Sequence, residues 1–149
     1  GSLAGLYRRQ GRYNDAIDAY HQAEMVTPTS SYPLINLASL YWHQGAIEKA
    51  RAYFQRVHDL ARLKLDTNPL DNWARSDYAQ ALAALGQGDE ALRQLALVRG
   101  NHPEPGLLPT VRSGLAFLAA SPASLDGIDA LLAAVDRALA EPPASLDTP

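Results

Sequence analysis

The sequence predicts an all-α protein, an α-solenoid of antiparallel helix pairs. Three observations support this prediction. Aromatic residues are only 7% of the 149 residues, and alanine and leucine dominate the composition. No stretch alternates β-branched and polar residues as a strand would. A pattern of small, aromatic and glycine residues recurs along the chain, which is typical of helical repeats. With 47% apolar residues the chain can bury the continuous core of a single domain.

The recurring pattern surrounds a glycine. The first copy contains Ala4, Tyr7, Gly11, Ala16, Tyr20 and Ala23. The second copy, 34 residues later, contains Ala38, Tyr41, Gly45, Ala50, Phe54 and Val57. The third copy, a further 41 residues on, contains Ala79, Leu82, Gly86, Ala91, Leu95 and Val98. Spacings of three and four residues on both sides of each glycine predict two amphipathic helices joined by a tight turn. Glycine suits the turn because helices commonly end on a left-handed residue.

These residues resemble the tetratricopeptide repeat, a 34-residue helix-turn-helix unit with small residues at its eighth and twentieth positions and a proline near its end. Pro28 and Pro103 stand at that last position, whereas the second copy has Arg62 there. The resemblance covers roughly residues 3 to 105. It implies one domain with repeats at about residues 3–30, 31–68 and 69–105.

The third copy is displaced by seven extra residues, which correspond to about two helical turns. One apolar stripe continues past the usual end of the second helix of copy two: Ala50, Phe54, Val57, Ala61 and Leu65. We therefore expect this helix to be extended. Asn68 and Pro69 then have the residue types of an N-cap and a first helical position, so the next helix is predicted to begin there.

Two further helical patterns follow without the period, at about residues 107 to 120 and 124 to 141. We interpret them as a capping helix pair, residues 106–141, that covers the last exposed core face of the solenoid. Ser121 or Ser124 is a candidate cap for the second helix. The tail, residues 142–149, has nothing to bury and is predicted to be disordered.

Composition and charge argue against several function classes. With 13 basic and 16 acidic residues the net charge is −3, and there is no basic cluster for nucleic acid. No apolar run approaches the roughly 20 residues of a membrane span. The expected location is therefore the cytoplasm, and the richness in alanine, leucine and arginine suggests a bacterial source.

Residues for catalysis or for a cofactor are not grouped in any recognised pattern. The absence of cysteine excludes thiolate nucleophiles and Cys-based zinc sites. His21, His43, His58 and His102 never have the spacing that brings two metal ligands onto one helix face. The segment 86–89 lacks the Lys-Ser/Thr of a phosphate-binding loop. We expect no catalytic, metal or cofactor site, and hence no enzyme.

The resemblance implies a concave groove that is lined by the first helix of each pair and that binds a protein or peptide. Carried over, its lining residues are Arg8 and Arg9 in copy one, Tyr32, Asn36, Ser39, Trp42 and His43 in copy two, and Trp73, Asp77 and Gln80 in copy three. We expect Asn36, Trp42 and Trp73 to be the main contacts, because aromatic rings and amides suit peptide recognition. The alternative for both tryptophans is packing against neighbouring helices or against a flanking repeat outside this sequence.

Some family members bind acidic carboxyl-terminal peptides through a clamp of Lys and Asn side chains. Only Asn36 matches that clamp. Gly1 and Gly5 stand at its first-repeat places, and Trp73 and Asp77 stand where the third repeat would have Lys and Arg. A ligand that is less anionic and more apolar is therefore expected.

The leading functional prediction is an adaptor or regulatory part of a larger bacterial protein that binds a partner protein. One alternative is a self-association module that forms a homodimer. The other is the regulatory domain of a multidomain enzyme or transcription factor, whose activity lies elsewhere in the parent chain.

Overall fold

A computed structural model describes residues 2–141, which form eight α-helices and no strand within that range. The helices are α1 (Leu3–Arg9), α2 (Tyr13–Val26), α3 (Ser31–His43), α4 (Ile47–Thr67), α5 (Asn72–Ala84), α6 (Gly88–Gly100), α7 (Leu107–Ala119) and α8 (Ile128–Ala140). Neighbouring helices pack in pairs along the chain, which confirms the predicted all-α solenoid. The predicted disordered tail lies outside the described residues.

The turn inside each of the first three pairs has the same hydrogen-bonded geometry. Gly11, Gly45 and Gly86 all have φ between +75° and +87°, the left-handed region that glycine adopts without strain. In the second turn the N–H of Gly45 donates to Trp42 O at 3.0 Å, and the next N–H donates to Tyr41 O at 2.9 Å. This is the Schellman motif, which satisfies the last carbonyls of a helix.

Alanines at the helix crossings explain how closely the helices pack. Ala16, Ala38, Ala50 and Ala91 have no exposed surface, and Tyr20 and Phe54 fill the adjoining space. Small side chains let two backbones approach, and the large rings close the gaps that remain. The repeat pattern of the sequence is therefore a packing pattern.

Helix α4 has 21 residues, seven more than the 14 of α2, as the predicted extension requires. The predicted start of the following helix was wrong. Asn68 is the C-cap of α4, and its side-chain oxygen accepts the Leu70 N–H at 3.1 Å. Asp71 caps α5 instead, because its carboxylate accepts the Ala74 N–H at 3.0 Å.

The longer α4 displaces α5 relative to α3. Ser31 is the first residue of α3, yet its hydroxyl donates to the carboxylate of Asp77, the sixth residue of α5, at 2.7 Å. About five residues of α5, or about 7 Å of helix, therefore precede the level at which α3 begins. Trp73 lies in this protruding turn.

The terminal pair packs in two directions. Helix α8 contacts α6, whereas α7 contacts α3 and α5. Four α7 side chains are buried in the main core: Leu107, Val111, Leu115 and Leu118. Their spacing of three and four residues places them on one helix face.

Helix α8 begins four residues later than predicted. Gly127, at φ +83°, precedes Ile128, and neither Ser121 nor Ser124 caps the helix. The Ser121 hydroxyl instead donates to Phe117 O in the last turn of α7, at 3.1 Å.

Candidate functional site

The first helices of the three repeats, α1, α3 and α5, form the face that the sequence predicts to be the binding groove. Helix α7 packs against α3 and α5, with contacts at His43 and Gln80 in their C-terminal halves. Phe117 is at the centre of the contact: the guanidinium of Arg8 lies 4.2 Å from its ring centroid, and the His43 ring stacks on it at 4.9 Å. Tyr13, at the start of α2, approaches the same ring edgewise at 5.9 Å. Part of the predicted groove is thus occupied by the chain itself.

Trp42 belongs to this covered region. It is 3% exposed, and its ring N–H donates to the carbonyl of Ala123 at 3.1 Å. Its ring also packs edgewise on Phe54 in the core. Beside it, His43 is within hydrogen-bond distance of the Ser121 hydroxyl, at 3.3 Å. For Trp42, the geometry corresponds to the packing alternative.

Ser39 and Gln80 are also buried. The Ser39 hydroxyl donates to Ile35 O within its own helix, at 2.9 Å. The side-chain oxygen of Gln80 would lie 2.8 Å from a Cβ at position 114, where the chain has glycine. Gly114 therefore lets α7 approach α5 closely at this point.

Four of the predicted residues lie in the N-terminal halves of α3 and α5, away from α7. We call these four residues the uncovered patch: Tyr32, Asn36, Trp73 and Asp77. Tyr32 is 53% exposed and Trp73 is 44% exposed. Trp73 and Asp77 follow Tyr32 and Asn36 by the same 41 residues, so the two pairs occupy equivalent positions in copies two and three. Arg9 is also exposed, but it lies on α1, separated from α5 by α3.

Local contacts fix the backbone and leave the patch side chains partly free. The Asn36 amide donates one N–H to Tyr32 O at 2.8 Å, which leaves its oxygen and second N–H for another partner. The Tyr32 ring packs edgewise on Tyr20 with centroids 5.8 Å apart. The carbonyl of Trp73 accepts the Ser76 hydroxyl at 2.8 Å. The two exposed rings therefore stand on well-ordered helix turns.

Asp77 is the charged member of the patch. It is half-buried, it accepts the Ser31 hydroxyl, and it forms no ion pair with any residue of the range 2–141. Burial raises the pKa of its carboxyl to about 6, although the Ser31 hydrogen bond and the charge of Lys64 act in the opposite direction. The ionised carboxylate is thus held in a place where it is incompletely solvated.

A second polar cluster lies between α2, α3 and α4. His21 is 2.8 Å from the Tyr41 hydroxyl and 3.3 Å from Glu24, which also pairs with Arg56. Burial, reinforced by the charges of Asp18 and Glu24, raises the pKa of Tyr41, so this phenol stays protonated at neutral pH. The cluster ties three helices together and offers no activated nucleophile.

Two kinds of site are not found in residues 2–141. No group of three or more metal-ligating side chains is close enough to hold an ion there. No helix in the same range has the length and apolar character needed to cross a membrane.

Comparison with known proteins identifies the repeat. Two family models, both described as tetratricopeptide repeat, match residues 30–99 and residues 1–30. The chain belongs to the tetratricopeptide repeat (TPR) family. A solved structure described as the first TPR of Spaghetti (RPAP3) bound to HSP90 peptide SRMEEVD matches 93% of this chain and 88% of its own, with 20% identity and a TM-score of 0.41. No curated protein matches the sequence.

The ten residues that the TPR resemblance selects thus fall into two groups. The first group is buried or contacts α7 or the segment after it: Arg8, Ser39, Trp42, His43 and Gln80. The second group has no such contact among the described residues: Arg9, Tyr32, Asn36, Trp73 and Asp77. The sequence analysis missed the α7 residues that cover the first group, Gly114, Phe117 and Ser121. The available signals were a glycine and an aromatic residue in a short helix with one apolar face.

The two tryptophans allow the covering by α7 to be tested. We expect Trp73→Phe, which leaves only Trp42, to emit at shorter wavelength and to be quenched less by acrylamide than Trp42→Phe, which leaves only Trp73. The reason is the difference in exposure of the two rings. Adding Phe117→Ala to Trp73→Phe should increase quenching, because Phe117 holds the end of α7 against His43, the neighbour of Trp42 in the chain. Equal quenching of the two single variants would mean that α7 does not cover the groove in solution.

The raised pKa of Asp77 predicts a pH-dependent stability. The folded chain holds this proton more tightly than an ordinary aspartate carboxyl, whose pKa is 3.8. The stabilisation of the fold that results is therefore fully present below pH 3.8 and is lost as the pH rises through about 6. Asp77→Asn keeps the neutral form. At about pH 7.5 we expect this variant to unfold at a higher urea concentration than wild type, with a free energy of unfolding larger by at most about 3 kcal/mol. At about pH 4 we expect both proteins to unfold at the same urea concentration. A variant that is less stable at the higher pH would contradict this assignment.

Proposed function

We propose that this TPR domain binds a segment of a partner protein at the uncovered patch of Tyr32, Asn36, Trp73 and Asp77. The observation that carries the proposal is the exposure of two aromatic rings, 53% for Tyr32 and 44% for Trp73, at equivalent positions of consecutive first helices. Aromatic side chains with a polar atom are enriched at binding hot spots, since they offer large contact area at low conformational cost. The patch combines such rings with an amide and a carboxylate.

The covered part of the groove is a poorer binding site than the patch. A partner that replaced α7 would first have to expose Leu107, Val111, Leu115 and Leu118, which are all at most 1% exposed. At about 1.5 to 3 kcal/mol for each buried side chain, this costs on the order of 6 kcal/mol or more. That is most of the roughly 8 kcal/mol that a micromolar complex provides. The geometry therefore favours binding beside α7 over displacement of α7.

The biological role follows from the family at a general level. TPR repeats support a protein-interaction function, and we infer that the domain acts as an adaptor or regulatory part and catalyses nothing itself. The bacterial source and the cytoplasmic location remain predictions from composition.

Self-association is a second candidate, favoured by one observation. Leu3 and Leu6 are both exposed and lie one turn apart on α1, so they form an apolar edge at the first helix of the stack. Small-angle scattering at several concentrations distinguishes this candidate, because only self-association gives a mass that rises with concentration.

A peptide selection tests the proposed site. A random peptide library is panned on the wild-type chain, and selected peptides are synthesised and measured by fluorescence anisotropy. We expect Trp73→Ala to weaken binding by about thirtyfold, which corresponds to about 2 kcal/mol, because it removes a central aromatic contact. Asn36→Ala should weaken binding in the same direction. Glu48→Ala, an exposed change in the first turn of α4, should have no effect and serves as the control.

Helicity and melting temperature are measured on every variant. Equal affinity of all three variants would place the binding surface elsewhere. A large loss of stability in Trp73→Ala would assign that ring to the core, and the affinity of Tyr32→Ala would then decide whether the patch binds.

A further inference from the structure

Asp77 is the charged member of the uncovered patch, and no basic residue of the range 2–141 forms an ion pair with it. Its carboxylate lies between α3 and α5, where the Ser31 hydroxyl at 2.7 Å is its hydrogen-bond partner. Two basic residues of the described chain could neutralise this carboxylate, but neither donates a hydrogen bond to it. Arg75 donates to Gln94 and to Pro69 O, and Lys64 acts on Asp77 only through its field. A half-buried carboxylate without a cation is unfavourable for the fold, since burial disfavours the charged form.

The surroundings of Asp77 suit a cation from outside. Trp73 precedes Asp77 by four residues on α5, so the two side chains share one helix face. Helical side chains lean toward the N-terminus of their helix, which directs Asp77 toward the turn that carries Trp73. The Trp73 ring is partly exposed in the protruding first turn of α5. A π-face next to a carboxylate is favourable for ammonium or guanidinium groups, because both attract positive charge.

The equivalent position in copy two carries no charge. Asn36 stands where copy three has Asp77, and Tyr32 stands where copy three has Trp73. The aromatic is therefore present in both copies, but the carboxylate is present only in the third. Arg9 does not offset this carboxylate, because α3 lies between α1 and α5. The asymmetry fixes the end of the patch at which a cation would bind.

We propose that the uncovered patch recognises a Lys or Arg side chain of the partner segment, with its charged head on the Asp77 carboxylate and its aliphatic stem along the Trp73 ring. This inference rests on the proposed function, and it names the partner chemistry of the same site. It separates this chain from TPR domains that hold acidic peptide ends with basic side chains.

The test compares charge-matched variants with the peptides selected on the wild-type chain. The peptides are synthesised with acetylated amino termini, so that only side chains carry positive charge. We expect those whose binding depends on Trp73 to share a Lys or Arg position. Asp77→Asn should weaken the binding of these peptides about tenfold, because a hydrogen bond to a charged group usually contributes a free energy of about this size. Asp89→Asn removes the same charge from the exposed first turn of α6 and should leave affinity unchanged.

Replacing the shared Lys by norleucine, or Arg by citrulline, gives the second half of a double-mutant cycle. The replacement should weaken binding to wild type but not to Asp77→Asn, because the interaction is then already lost. Peptides that depend on Trp73 but show no basic preference, or bind Asp77→Asn unchanged, would overturn the cation site and leave the proposed function standing. A selection in which no peptide depends on Trp73 would overturn both.

Discussion

The apolar stripe of α7 is buried against α3 and α5, and this contact decides what the rest of the concave face can do. Leu107, Val111, Leu115 and Leu118 contribute four fully buried side chains to the main core. A solenoid must cover the core face of its last repeat, and here the terminal pair does so with α8 against α6 while α7 crosses the first helices. The groove that stacked repeats would present is therefore shortened to the N-terminal halves of α3 and α5.

The seven-residue extension of α4 determines the shape of what remains. Because α4 is about two turns longer, α5 begins further along the helix axis, before the level at which α3 begins, and the Ser31 contact with Asp77 shows this offset. Without this offset, Trp73 would stand level with Tyr32. With it, the tryptophan extends past the start of α3, and both rings are partly exposed. The insertion therefore determines how far Trp73 lies along the helix axis from the level of Tyr32, its equivalent 41 residues earlier in the sequence.

Local features were predictable from the sequence because they depend on a few neighbouring residues. The left-handed glycines at 11, 45 and 86, the buried alanines and the length of α4 all follow from spacing alone. Helix starts were less predictable. Asn68 and Asp71 are both capping residue types three positions apart, and residue type alone does not distinguish Asn68, the C-cap of α4, from Asp71, the N-cap of α5. The path of α7 was not predictable at all, since the segment between α6 and α7 contains two prolines and the repeat period ends before it.

The same reasoning explains why Trp42 and Trp73 differ although both were selected by one pattern. The family positions specify which side of a helix a residue occupies, but exposure depends on what lies opposite. Trp42 faces α7 and donates to Ala123 O, so its polar atom is satisfied within the fold. Trp73 is partly exposed and stands four residues before Asp77, a carboxyl whose pKa is raised by burial. A fold maintains such an arrangement at a cost in stability, and binding of a cation would offset that cost, because pairing favours the ionised form that burial disfavours. The feature that weakens the free domain is therefore the one that would make its binding selective.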